Sequence, residues 1–447
     1  MTESSYASRA ASFLSGASSP VEYLDACLAE IAAQDGEVRA FVALNTDAAR
    51  AQAQLSSARW ASGQPLSAID GMPIGVKDII ETADMATEQG SPMWQGFESK
   101  RDSATVQALR DAGAVILGKT ATTEFASSPT FAETTNPHDH KRTPGGSSSG
   151  STAAVGAGFV PMALGSQVVG STLRPSSYCG CVGFKPSTGG LNRSGSYDHL
   201  SHSCVGLIGN SLEDVWLTAK AIATRVGGDP GYRGLTGPAN LPGPQAPQRL
   251  LVLQTDGWSR MTRGARTAFE AVLEQLAAAG IVLVNRSNDP DVDAFERMIE
   301  DVRSLSNVIL SWENRWPTAG YLRSDATKLH PVTIARFNEA KTLTQNDYAE
   351  ALERRQSLRD SFARLMAKVD GAVTLAATGA APLGLQSTGD PGFNIPASIL
   401  GVPAVSLPLL ADEGLPLGLQ LIGRRDEDAA LFGLSHWFWQ WQSVQGR

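Results

Sequence analysis

Apolar positions follow two rhythms along this chain. Near the start, Ser19 can cap a helix, Pro20 suits its first position and Glu22 completes a capping box, while Leu24, Cys27, Leu28 and Ile31 form an apolar stripe. Residues 18–60 therefore read as helices, the body of a helical arm over residues 1–65. From about residue 66 the texture changes to short apolar runs punctuated by Gly and Pro, as in PIGVKDII (73–80) and AVILGKT (114–120), alternating with helical stretches such as SATVQALRDAG. That alternation predicts an α/β sheet over a core of residues 66–225.

Residues 227–248 are dense in Gly and Pro and read as a surface excursion or linker, followed by the strand candidate RLLVLQTDG. The stretch 265–370 is mostly helical and charged, whereas GAVTLAATGAAP and LPLGLQLIG return to strand texture. The expected organisation is a single domain over 1–447, with a linker and mostly helical excursion at 226–370 and a return to the sheet at 371–447. Trp437, Phe438, Trp439 and Trp441 suit a docked terminal helix, because such rings bury large areas.

With 447 residues, 42% apolar and 18% charged, the chain can bury a large core. Its formal charge of -8, from 45 acidic against 37 basic residues, includes no basic block that could follow a phosphate backbone or an anionic membrane, so nucleic acid is not an expected partner. MTESSYASRAASFLSG lacks the regions of a signal peptide, and no run approaches the roughly 18 apolar residues of a membrane span, so a cytoplasmic protein is expected. Cys27, Cys179, Cys181 and Cys204 read as reduced packing thiols, since Cys179-Gly-Cys181 lacks the two-residue spacer of a redox or zinc pair. The histidines, His138, His140, His199, His202, His330 and His436, offer no pair at metal-binding helical spacing with a carboxylate, and no metal or cofactor is expected. His202 follows the most unusual segment of the chain but reads as a satisfied or surface histidine.

That unusual segment is PGGSSSGSTAAVGAGFVPMALGSQVVGSTLRPSSYCGCVGFKPSTG, residues 144–189. A flexible Gly/Ser linker would not run straight into the apolar, small-residue stretch STAAVGAGFVPMALG; small residues here let backbones approach and leave amide hydrogens free to face a site. Two regular patterns nearby mislead. Gly113 to Thr120 fits a phosphate-binding loop, but its intervening residues are themselves a strand rather than an open nest. Gly146-Ser147-Ser148-Ser149-Gly150 fits a nucleophile elbow, which would nominate Ser148, yet an elbow needs a preceding strand and a partner histidine.

Amide hydrolysis requires a nucleophile, a base, a proton donor to the leaving nitrogen and an anion-stabilising pocket. Serine with a neutral lysine can supply the first three, and Lys77, inside the apolar run PIGVKDII, lies where desolvation can lower a lysine pKa. The ordered set GMPIGVKDII, AGAVILGKT, PGGSSSGS, GSTLRPSSYCGCVGFKP, PASILGVPAVSLPL and GLPLGLQLIG resembles the amidase signature family from about residue 20 to 435. The resemblance implies a large mixed central sheet flanked by helices on both faces. It implies Lys77 as base, Ser147 as a relay serine held by a cis peptide bond, and Ser171, 24 positions further on, as nucleophile. Ser148 becomes a supporting hydrogen-bonder. Backbone N–H groups of Val168, Val169, Gly170 and Ser171 match the family's oxyanion loop, and the implied chemistry passes through an acyl-enzyme.

The chain departs from the family's usual Thr-Asp-Thr-Gly-Gly-Ser-Ile-Arg: Gln167 and Leu173 stand where the Asp and Arg are expected, a joint loss consistent with a removed internal pair. Val169 replaces a glycine, which places the loop geometry in question. Ser203 stands where related amidases carry an Asp. Arg174 matches the malonamidase-like branch, in which the arginine holds a substrate carboxylate through bidentate, charge-assisted bonds; an arginine paired with a neighbouring acid is the competing reading. The expected protein is an amidohydrolase of small, carboxylate-bearing amides acting alone, with a homodimer left open. Two rivals stand beside it: a partner-dependent glutaminase within a larger assembly, and a catalytically silent scaffold.

Overall fold

Burial on both faces marks most strands of this chain, as near-continuous apolar runs require. The computed structural model describes residues 5–127 and 133–445. In chain order its strands are β1 (Phe41–Leu44), β2 (Pro73–Lys77), β3 (Val115–Thr120), β4 (Met162–Gln167), β5 (Val182–Lys185) and β6 (Cys204–Gly209). They continue with β7 (Arg249–Val252), β8 (Val282–Val284), β9 (Gly371–Leu375), β10 (Ala404–Asp412) and β11 (Leu415–Ile422). All join one eleven-stranded sheet in the order β1-β3-β2-β4-β6-β5-β10-β11-β9-β7-β8. Pairing is parallel for β3-β2-β4 and for β9-β7-β8 and antiparallel elsewhere, so the sheet is mixed.

Successive residues of a strand point to opposite faces, and the cores follow that period. Ile74, Val76, Ile116, Met162, Leu164 and Leu207 join one apolar cluster that continues under the other half of the sheet through Leu250, Val373, Val405 and Leu421. Their neighbours in sequence face the other way and divide into two clusters. Val115, Leu117, Ala163 and Ile208 meet the amino-terminal helices, whereas Leu251, Ala372, Ala404 and Ile422 meet the helices of the excursion. Helices therefore cover both faces, as expected.

The helix Pro20–Val38 starts at Ser19, whose hydroxyl accepts from Glu22 N; the reciprocal Glu22 bond of a full capping box is not formed. The arm is also less helical than its pattern suggests. Between Pro20–Val38 and the helix Thr46–Ala61 lies edge strand β1, too short for periodicity to separate it from its helical neighbours. The excursion likewise contributes two strands, β7 and β8, as well as the helices Arg263–Ala278, Pro290–Met298, Val302–Asp325, Pro331–Ala340 and Gln345–Met366. Residues 227–248 are irregular but pinned: Trp216 Nε1 donates to Pro238 O at 3.3 Å, and Gln245 N to Gly433 O at 2.9 Å. Phe438 of the helix Asp428–Gln445 is fully buried, with Trp437, Trp439 and Trp441 packed against the same core. The four cysteines are free and buried.

Trp216 is fully buried against Phe432. Trp216→Ala should lower unfolding free energy by about 3–5 kcal/mol, measured by urea denaturation, while Trp316→Ala, at an exposed ring, should leave the midpoint unchanged.

Candidate active site

Lys77 is the last residue of β2, and Ser166 and Gln167 end β4. These neighbouring strands run parallel with Val76 opposite Leu164, so their carboxyl ends open onto the same place, where α/β sheets commonly bind ligands. Ile74 and Val76 face the continuous core, leaving Lys77 to the other face, toward the buried helix Ser149–Gly156.

The lysine is fully buried. Its Nζ donates to Ser147 Oγ at 2.8 Å, Ser166 Oγ at 2.8 Å and Ser148 Oγ at 3.1 Å. No carboxylate pairs with it among the described residues, and burial lowers its pKa to about 7 against a smaller opposing pull from Asp198. Lys119, in the phosphate-loop lookalike, provides a contrast. It is equally buried in β3 but pairs with Asp78 at 3.2 Å and donates to Thr87 Oγ1 and Ile80 O, a structural cation with no open nest beside it.

The Gly146–Ser147 peptide is cis. Gly145 has φ 82°, and a Cβ there would sit 2.9 Å from Pro175 Cα, so the turn into Ser147 requires glycine twice over. Ser148 Oγ also accepts from Ser166 N and donates to Ser166 O, both at 3.2 Å; no histidine bonds to it. Ser171 is half-buried, lines the same cavity as Ser147, and its carbonyl accepts from Ser148 N at 3.4 Å.

The loop before Ser171 is held by Gln167, which the family pattern marks only as a departure. Its Oε1 accepts from Thr172 N and Leu173 N, each at 3.0 Å, satisfying two amides at the start of the helix Leu173–Cys179. Its Nε2 donates to Ser398 Oγ at 3.0 Å, and Ser398 donates onward to Val169 O at 2.9 Å. The loop thus needs no ion pair, and Leu173 packs in an apolar cluster where an arginine would have required one. The question raised by Val169 is answered as well: it is not among the residues with positive φ. Amides of Val168, Val169, Gly170 and Ser171 donate to no other described residue, which leaves them free to face a bound anion. Gly170 is required by space, since a Cβ would lie 2.7 Å from both Arg174 Nη1 and Asn394 Oδ1.

Arg174 is buried and has no carboxylate partner among the described residues. Its Nε donates to Thr388 O at 2.6 Å and its Nη2 to Gly146 O at 2.7 Å and Thr388 Oγ1 at 3.1 Å, while Nη1 has no partner. Burial lowers its pKa. The nearby acid Asp390 is taken by Arg303 at 2.8 Å and Arg260 at 3.1 Å. Pairing with a neighbouring acid, the competing reading of Arg174, does not occur among the described residues.

These groups line a cavity of about 490 Å³. Its outer wall is one face of the helix Val302–Asp325, carrying Ser306, Asn307, Leu310, Ser311, Asn314 and Thr318. Sequence reading missed this role; the signal was polar residues at helical spacing on a helix otherwise read as generic excursion. His202 is corrected: it is neither satisfied nor at the surface. It is fully buried with no partner on either ring nitrogen, its pKa is lowered to about 3 by burial and then by Arg355, Arg359 and Lys185, and it lies outside the cavity lining. Ser203 beside it is buried with an unpartnered hydroxyl. No cluster of metal-ligating side chains and no helix long and apolar enough to cross a membrane occur among the described residues.

Residues 22–432 match the Amidase family, and the chain belongs to it: it is an amidase-signature hydrolase of amide C–N bonds. It is 32% identical to one of the subunits of the glutamyl-tRNA(Gln) amidotransferase of Chloroflexus aggregans, over 92% of this chain and 91% of that one. Among solved structures it resembles a protein from a vestigial complex that reveals the origins of an s-triazine catabolic enzyme, with TM-score 0.85, 27% identity and 98% of both chains covered. It also resembles the native peptide amidase of Stenotrophomonas maltophilia, with TM-score 0.74, 26% identity, and 99% and 97% of the two chains covered.

Gln167→Met should strand the amides of Thr172 and Leu173 and lower stability by about 1–3 kcal/mol, measured by urea denaturation. Unchanged stability would show that the side chain does not hold the loop.

Proposed function

We propose that this amidase cleaves small, carboxylate-bearing amides through an acyl-enzyme formed on Ser171, with Ser147 as relay and Lys77 as base. The observation that carries this reading is the 2.8 Å bond from a fully buried Lys77 to Ser147, with only hydroxyls around the amine and its pKa lowered to about 7. A neutral Lys77 takes the Ser147 proton as Ser147 takes that of Ser171, whose Oγ forms a bond to the amide carbon. The carbonyl oxygen becomes an oxyanion facing the free amides of Val168, Val169, Gly170 and Ser171. Collapse breaks the C–N bond, and the nitrogen leaves with a proton returned through Ser147. Water then attacks the ester by the same relay, releasing the carboxylate and restoring Ser171. Arg174, buried, lining the cavity and without an acid partner, supports a carboxylate on the substrate.

The 32% identity to an amidotransferase component favours a second reading, a glutaminase that works within an assembly. Ammonia release by the purified chain separates the two, because a partner-dependent glutaminase would be nearly idle alone.

Ser171→Ala should abolish ammonia release and labelling by a fluorophosphonate. Only the deprotonated lysine accepts a proton, so kcat/KM should rise through about pH 7 and level off above it; a flat profile from about pH 6 to 9 with chemistry rate-limiting would remove Lys77 as base. Arg174→Ala should cut turnover of acidic amides relative to matched neutral ones by about tenfold or more. An unchanged ratio would discard the clamp.

A further inference from the structure

A second group of cations gathers outside the cavity, where the end of β5 and the start of β6 meet the helix Gln345–Met366. Arg359, on that helix, donates from Nε to Ile399 O at 3.1 Å, while its Nη2 is buried without a partner. A Cβ at Gly401 would lie 3.3 Å from that Nη2 and 3.2 Å from Thr188 Oγ1, so guanidinium and hydroxyl flank one point. Thr188 Oγ1 lies 3.7 Å from Cys204 Sγ, which Lys185 Nζ reaches at 3.6 Å; the other acceptor of Lys185 is Pro186 O at 2.8 Å. Arg355, one helical turn before Arg359, donates to Ser201 Oγ at 2.6 Å. Beside Ser201 come His202, with neither ring nitrogen partnered, and Ser203, with an unpartnered hydroxyl, both fully buried. None of Lys185, Thr188, His202, Cys204, Arg355 and Arg359 lines the active-site cavity.

The charge here is poorly balanced. Lys185, Arg355 and Arg359 form no ion pair among the described residues. The acids that act on the first two are engaged: Glu313, felt by Arg355, accepts from Ser201 N at 2.8 Å and Tyr348 OH at 2.9 Å, and Asp428, felt by Lys185, accepts from Ser187 N at 2.9 Å and Ser187 Oγ at 2.8 Å. For Arg359 the strongest influences after burial are two further cations, Arg355 and Arg425, and its pKa falls to about 10. A guanidinium nitrogen buried without an acceptor is costly, and an anion would supply one. A carboxylate would offset a single charge. A tetrahedral dianion offers more acceptors: guanidinium forks match its oxygens, and a lysine, hydroxyls and an imidazole N–H can donate to the rest. From this juxtaposition we infer that the cluster of Lys185, Arg355 and Arg359 around Thr188 and His202 is an anion site, separate from the active site, for phosphate or the phosphoryl group of a small phosphomonoester. The exposed Tyr232 and Arg425, both near enough to act on Arg359, mark where the site meets solvent. The inference stands apart from the chemistry proposed at Ser171.

Calorimetry on the whole chain at constant ionic strength tests it, with inorganic phosphate, glycerol 3-phosphate and acetate as titrants. Phosphate or the phosphomonoester should bind with a dissociation constant of about 1 mM or below, and about tenfold or more tighter than acetate. The tighter of the two assigns the source, free ion or phosphoryl group. Arg359→Gln should weaken that binding about tenfold or more. Arg355→Gln should weaken it in the same direction and decides the matter if Arg359→Gln lacks a cooperative thermal transition. Arg174→Ala, which removes the guanidinium of the active-site cavity, should leave it unchanged. No saturable binding of either phosphate, acetate binding equally well, binding lost in Arg174→Ala, or binding undiminished in the folded Arg359 and Arg355 variants overturns the inference.

Discussion

Everything at this site depends on a buried lysine amine whose hydrogen-bond partners are three serine hydroxyls. Burial lowers its pKa to about 7 against a smaller pull from Asp198, so the free base is accessible near neutrality, and a free base beside a serine is what proton abstraction needs. Lys119 shows a different arrangement in the adjacent strand: equal burial, but with Asp78 at 3.2 Å as an ion-pair partner. The two lysines differ in the identity of their neighbours, not in the depth of burial.

The surrounding polypeptide solves a related problem. The amides of Val168, Val169, Gly170 and Ser171 are unpaired among the described residues, and a loop with unpaired amides is hard to hold in shape. The Gln167–Ser398–Val169 chain of hydrogen bonds holds it from behind, through one carbonyl and the first amides of the following helix. Neutral groups do this work, which suits a pocket already containing an uncompensated Arg174.

Much of this was legible in the residues. The alternation of apolar runs with helical stretches pointed to a two-faced sheet, and the segment 144–189 to the polar centre of the site. Four-residue β1 was not legible, because a run that short has no period to distinguish it from flanking helices. The anchoring role of Gln167 was hidden too: read beside the usual pattern it is a lost charge, and only the positions of Thr172, Leu173 and Ser398 reveal a gained set of bonds. His202 was misplaced because a lone histidine carries no sign of its burial.

The sheet order has a consequence for how such a site comes into being. Strands β10 and β11 are among the last made, yet they sit between β5 and β9, in the middle of the sheet. Without them the sheet order falls into two separate runs, β1-β3-β2-β4-β6-β5 and β9-β7-β8, with nothing to join them. Lys77 and Ser171 are synthesised early, but the strands that complete the sheet around them come later. A chain cut before β10 would therefore carry Lys77, Ser147 and Ser171 without the central strands that join the two halves of the sheet around them.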